Sequence, residues 1–138
     1  MQTRTKIAIT LGDPAGIGPE IIVKALCNVE VYKKVCPVVY GDKDVLEDVL
    51  SICKIPLKLR EIDTPEDAKG EFGVIDYINL NLIHKGEWVY KENQENCGRA
   101  SFEYVKKAIE DAMAGNPHTS RWKKSVIYFF SHLLPAIH

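Results

Sequence analysis

The sequence lacks any apolar run of about 18 residues, so no stretch of it reads as a membrane-spanning helix. It has almost no net charge: 18 Lys plus Arg against 19 Asp plus Glu give a formal −1. That balance argues against a nucleic-acid-binding module, which carries a basic stripe. The amino-terminal residues Met1 to Lys6 lead straight into an apolar segment, without a separate apolar region and cleavage site. No signal peptide is read there, and the cytoplasm is the expected location. The four cysteines form neither a C-x-x-C pair nor a zinc-ribbon spacing. Cys27, Cys36 and Cys53 sit in or beside apolar segments and read as small buried hydrophobes, whereas Cys97, just ahead of Gly98, reads as more exposed.

Two phosphate-loop patterns are also missing. The one glycine-rich bend, Leu11-Gly12-Asp13-Pro14-Ala15-Gly16-Ile17-Gly18-Pro19-Glu20, has the spacing G-x-x-x-G-x-G. The dinucleotide fingerprint needs G-x-G-x-x-G, and the P-loop needs a Lys-Ser/Thr pair that does not follow here. What the bend does have is position. It joins a strand-like apolar run, Ile7 to Leu11, to an amphipathic helical pattern from Glu20. Loops at the carboxyl ends of strands are where open α/β sheets collect ligands. Glycines let backbone N–H groups approach a ligand without an intervening Cβ. Pro19 suits a first helical turn and Glu20 the positive end of the helix dipole. Asp13 is either a ligand contact or the cap of its own turn.

The 138 residues, 46% of them hydrophobic, suffice for one domain. Thr5–Leu11 reads as a strand buried on both faces of a parallel sheet. A helix is expected over Glu20–Asn28 and a strand over Val35–Tyr40, with Pro37 near its start. Asp42 is placed to cap a helix over Lys43–Ile52, where Val45, Leu46, Val49 and Leu50 form one stripe. Leu57–Ile62 reads as a third, more exposed strand, 64–73 as a surface loop, Val74–Ile83 as one or two short strands, and 86–96 as loop. The clearest helix spans Gly98–Ala114, with Phe102, Val105, Ala108, Ile109, Ala112 and Met113 as its expected core face and Gly115 as its C′ residue. The pattern is β-α-β-α-β, with right-handed crossovers.

Two blocks together resemble the 4-hydroxythreonine-4-phosphate dehydrogenase family: the bend at 11–20, and Glu95-Asn96-Cys97-Gly98-Arg99-Ala100-Ser101-Phe102-Glu103-Tyr104 leading into the long helix. The bend is similar, one insertion apart, to the G-D-G-I-G-P-E opening of the isocitrate and isopropylmalate dehydrogenases. The resemblance covers about residues 5–115. It implies an α/β, isocitrate/isopropylmalate dehydrogenase-like three-layer fold, of which only the N-terminal β-α-β-α-β part is present. It also implies NAD(P)-dependent oxidation of a small phosphorylated hydroxy acid, followed by loss of carbon dioxide, as in pyridoxal phosphate biosynthesis. The cofactors implied are NAD or NADP and a divalent metal (Zn, Mg or Co), in a homodimer that binds neither nucleic acid nor membrane. Gly12, Asp13, Gly16 and Gly18 match the family loop and are the expected cofactor-binding residues. Arg99 and Ser101 are placed at the expected helix start, to meet an anion or to serve as a structural cap or subunit contact. A sibling group that oxidises D-threonate or D-erythronate 4-phosphate is the alternative, and a non-catalytic anion-binding module a third reading.

After Gly115 the resemblance stops. Residues 116–138 hold no Asp or Glu, against three Lys or Arg and three His. They read as a non-family tail, a shifted reading frame or truncation product, beside a family-like unit 1–115. The catalytic residues and metal ligands are accordingly expected in the portion that the sequence lacks. His118-Thr119 has the dipeptide of the family's substrate site in the wrong context, and His118, His132 and His138 have no recognised metal spacing.

Overall fold

A computed structural model describes residues 4–90, 92, 94–114 and 127–128. Five strands form one sheet in the order β3-β4-β2-β1-β5, every neighbouring pair parallel. Strand β1 is Thr5–Thr10, β2 Val35–Gly41, β3 Lys58–Glu61, β4 Val74–Asn79 and β5 Ile127–Tyr128. The helices are α1 (Gly18–Ala25), α2 (Val29–Lys34), α3 (Lys43–Ile52) and α4 (Glu95–Ala114). The α/β class and parallel sheet read from the sequence are what the chain forms.

The central strands are apolar on both faces, as a covered parallel sheet requires. Ala8, Val38, Val39 and Tyr40 are fully buried. Pro37 fits because Gly41, two pairs further along the same strand edge, points its carbonyl at Leu80 beyond β4. Residue 37 shares that side, and pairing with β4 begins only at Val39, so no ladder donor is lost. Helices α1 and α3 pack on each other, and α4 lies across β1 and β2. The crossover β1-α1-α2-β2 runs one way across the sheet, while α4 leads from β4 past β2 and β1 to β5. Right-handed crossovers running in opposite directions fall on opposite faces, which makes three layers.

Several expectations need correction. The first helix ends at Ala25, and Asn28 instead caps a separate helix, its side chain accepting from the Glu30 N–H at 3.0 Å. Helix α4 begins at Glu95, so Gly98 lies inside it. Its buried face is Cys97, Ala100, Tyr104 and Ala108, while Phe102, Ile109 and Met113 face outward. Val74–Asn79 is one strand. The cysteine expectation is reversed in part: Cys27 is exposed and Cys97 fully buried. Gly115, His118, His132, His138 and all of 116–138 except the backbone of Ile127–Tyr128 lie outside the described residues.

Candidate functional site

The glycine bend leaves the carboxyl end of β1, next to β5. The carboxyl ends of parallel strands are where open α/β sheets bind ligands. Gly12 has φ +74°, a left-handed conformation that side chains resist. Asp13 then folds the bend on itself: its Oδ1 accepts from the Ala15 N–H at 2.8 Å, and its carbonyl accepts from the Gly16 N–H at 2.9 Å. The turn-capping role foreseen for Asp13 is therefore present, whatever else it contacts. Pro14, Ala15, Gly18 and Pro19 are buried, so the bend is anchored at both ends. Gly16 and Ile17 are its exposed tip.

Gly16 is tightly placed by its neighbours but not sterically obliged to be glycine. A Cβ there would lie 3.4 Å from the Asp13 carbonyl oxygen and 3.6 Å from the Asp13 Cβ, an ordinary contact. Helix α1 follows with Ile17 at its N-cap, and no side chain caps its first N–H groups. The four sequence-picked residues thus form one bend, with Gly12 and Asp13 shaping it, Gly16 open at the tip and Gly18 starting the helix. Beside the tip lies an apolar cleft of about 260 Å³, walled by Ile17, Pro19, Val49, Ile52 and Tyr90. The Tyr90 hydroxyl donates to Asp48.

The neighbouring strand ends hold the bend from below. Gly41 closes β2 where a Cβ would come within 2.1 Å of Leu11 Cδ1, so its missing side chain makes room for the first residue of the bend. Asp42, 1% exposed, occupies the expected N-cap of α3 but makes no capping bond. It accepts instead from the Leu82 N–H at 2.7 Å and from the Tyr104 hydroxyl, tying β2, the segment after β4 and α4 together. Burial, then the bond to Asp42, pushes the Tyr104 phenol well above its usual value. Burial, and next the charge of Asp13, pushes the Cys97 thiol up. Cys97 therefore sits under the bend as an inert packing group.

Asp42, Tyr104 and Gly41 were not picked out as site residues, because each acts across the chain. Asp42 carried only a capping signal, and its buried partner Tyr104 is 62 positions away. Arg99 and Ser101 are not at a helix start as foreseen. Both lie in the second turn of α4, and Arg99 is an exposed partner of Glu95 at 3.0 Å. His84 is an exposed residue with its Nδ1 3.9 Å from Asp44 Oδ2. Among the described residues, no group of three or more His, Cys, Asp or Glu is placed to hold a metal ion. No helix among them is long and apolar enough to cross a membrane.

A parallel sheet covered by helices, with a glycine bend at the carboxyl end of β1, defines an α/β protein of the dehydrogenase-like class. The chain belongs to the family described as pyridoxal phosphate biosynthetic protein PdxA, matched over residues 33–120. That match takes in α4 and its start, while the glycine bend lies outside it. A Fusobacterium nucleatum protein provisionally named D-threonate 4-phosphate dehydrogenase is 46% identical over 110 residues, 80% of this chain and 33% of that protein. A crystal structure of a 4-hydroxythreonine-4-phosphate dehydrogenase from Burkholderia phymatum superposes with TM-score 0.78 at 36% identity, covering 83% of this chain and 34% of that one. A terephthalate 1,2-cis-dihydrodiol dehydrogenase from Burkholderia xenovorans does so with TM-score 0.63 at 28% identity, covering 82% and 31%. The chain spans about a third of the length of the curated relatives it matches.

Proposed function

We propose that this chain forms the bend-bearing part of a nicotinamide-dependent dehydrogenase acting on a four-carbon hydroxy-acid 4-phosphate. The first reading is oxidation of 4-phosphooxy-L-threonine at its secondary alcohol. The product is a β-keto acid, which loses carbon dioxide to give 3-amino-2-oxopropyl phosphate on the way to pyridoxal phosphate. D-Threonate or D-erythronate 4-phosphate is the second substrate reading, favoured by the names of curated relatives at 46% and 41% identity. The two readings share one reaction and differ in the substituent beside the carboxylate. A third reading keeps the bend as an anion-binding module without catalysis.

The observation that carries the proposal is the exposed Gly16 at the tip of a bend which the structure holds rigid without needing a glycine there. A residue that packing would let be larger, but that is glycine and faces outward, suits a bound group pressed against its backbone. NAD or NADP fits that cradle: Gly12 and Asp13 set the bend, Gly16 admits the cofactor to the backbone, and Gly18 starts the helix whose free N–H groups favour a phosphate. When bound, the nicotinamide accepts the hydride of the alcohol carbon. The chain's own residues orient and do not react: Asp42 and Tyr104 keep the strand ends in place beneath the bend. The divalent ion that the resemblance implies finds no ligand set among the described residues, and no step is derived through it.

The homodimer, the cytoplasmic location, the absence of nucleic-acid or membrane partners, and a family-like unit of 1–115 followed by a non-family 116–138 belong to the same proposal. The gene sequence beyond codon 115 tests the last of these. The activity is tested on a family-length chimera, residues 1–114 continued by the downstream two thirds of the Fusobacterium nucleatum relative. Each 4-phosphate is offered with NAD or NADP, and reduced cofactor is followed by absorbance. Reduction with one substrate supports the reading. A folded chimera that reduces neither cofactor with either substrate contradicts it.

A further inference from the structure

The cleft beside the bend tip has one aromatic wall, and that wall is held in place. Tyr90 is 38% exposed, yet two contacts fix it. Its hydroxyl donates to Asp48, and its ring meets Trp88 edge-on, with centroids 6.2 Å apart and planes at 90°. Trp88 is itself part of the core, so the edge contact is anchored. A ring fixed at its hydroxyl and its edge gives up little further freedom when a ligand stacks on it. The other walls are aliphatic: Ile17 from the bend, Pro19 from α1, and Val49 and Ile52 from α3.

We propose, resting on the nicotinamide-cofactor reading for the ligand, that this cleft takes the adenine ring of the cofactor by stacking on Tyr90. Size limits the occupant to one ring system. About 260 Å³ falls just below the roughly 300 Å³ at which pockets begin to enclose a drug-sized molecule, so a whole dinucleotide does not fit. Charge then separates the base from the phosphates. No Lys or Arg lines the cleft, and its charged group is the Glu20 carboxylate, which repels a phosphate. Glu20 meets Lys24 through Oε1 at 2.6 Å, and a carboxylate keeps further acceptor sites for the amino group of a base. Phosphates belong instead at the adjoining bend tip, where the first N–H groups of α1 have no side-chain cap. Base in the cleft and phosphate on the bend are neighbours, as they are within one nucleotide. The nicotinamide ring must leave its reacting face to the substrate, whereas adenine has no such need, so the walled cleft suits adenine.

Cys53 supplies the test in the 138-residue chain itself. It lines the cleft and is partly exposed, whereas Cys27 is exposed outside it and Cys36 and Cys97 are buried. Iodoacetamide labelling is followed thiol by thiol by peptide mass spectrometry, with 5′-AMP, ribose 5-phosphate or nicotinamide mononucleotide added. Saturable slowing at Cys53 by 5′-AMP is expected, with Cys27 unchanged and no effect of the other two compounds. Tyr90→Leu, at a partly exposed position, should raise the 5′-AMP concentration for half-protection about tenfold. No protection by 5′-AMP up to about 10 mM would overturn the assignment. Equal protection by either other compound, equal slowing at Cys27, or an unchanged midpoint in Tyr90→Leu would do the same. The activity is separable from the pocket. A chimera that reduces NAD while Cys53 stays unprotected keeps the dehydrogenase reading and sinks the adenine site. Protection of Cys53 by 5′-AMP beside a chimera that reduces neither cofactor keeps the site and removes that reading.

Discussion

Gly41→Ala isolates how the sheet supports the bend. Gly41 is buried at the end of β2, and an added Cβ would meet Leu11 at 2.1 Å from Cδ1, 2.5 Å from Cγ and 3.2 Å from Cβ. Contacts that short cannot persist, so one partner must move. Leu11 is 0% exposed and its N–H donates to the Tyr40 carbonyl at 3.0 Å, so neither its side chain nor its backbone is free to swing away. Gly41 does not have a positive φ, and the cost is therefore steric and not conformational. Overpacking of this kind costs about 1–3 kcal/mol, or several degrees of Tm at roughly 3–5 °C per kcal/mol for a chain of this size. Leu11→Ala alone should cost about 2–5 kcal/mol by leaving a cavity. Together the two changes should cost less than their sum by about 1–3 kcal/mol, because the smaller side chain makes room for the new methyl. Urea unfolding followed by circular dichroism measures all four corners of the cycle. A Gly41→Ala chain as stable as the wild type, or strict additivity, refutes the proposed contact.

Three further outcomes follow from the same geometry. Gly12→Ala, at φ +74°, should destabilise by about 1–2 kcal/mol, whereas Gly16→Ala should be neutral or stabilise by up to about 1 kcal/mol; denaturant midpoints check both. Tyr104→Phe removes the donor to buried Asp42 and should cost about 1–3 kcal/mol, read in the same way. Alkaline titration should show phenolate arriving late. Burial first, then acidic neighbours, pushes Tyr77 and Tyr90 up to about 12 and Tyr32, Tyr40 and Tyr104 higher still. A phenol with a raised folded pKa lends stability that is complete below its unfolded pKa of about 10 and is lost as pH rises through the folded value. Stability should therefore fall above about pH 10, with phenolate absorbance and loss of circular dichroism rising together. Normal titration near pH 10 of an intact fold would contradict this.

The parts of the fold legible in the sequence were those with one dominant local signal. Strands β1 and β2 are continuous apolar runs, and α3 has one stripe whose members are all buried. The bend showed itself through glycine and proline, residues whose backbone constraints are local. Helix α4 misled because it has two stripes. The bulkier one looked like the core, but the sheet beneath takes Ala100 and Ala108 with one tyrosine, whose hydroxyl finds a buried carboxylate. Helix α2 is six residues long and was marked by little more than its Asn28 cap. The insertion of β4 between β3 and β2 depends on pairing, and no single segment announces it. For the same reason the supports of the site, Gly41 against Leu11 and Asp42 with Tyr104, could not be read from spacing.

The most direct test of the account is the KM for NAD of the chimera carrying Gly16→Ala, measured beside its Tm. A backbone hydrogen bond blocked by the new methyl is worth about 1–1.5 kcal/mol, so KM should rise about tenfold while Tm stays at or above the wild-type value. An unchanged KM in a folded enzyme that still reduces NAD would show that the cofactor does not rest on the bend.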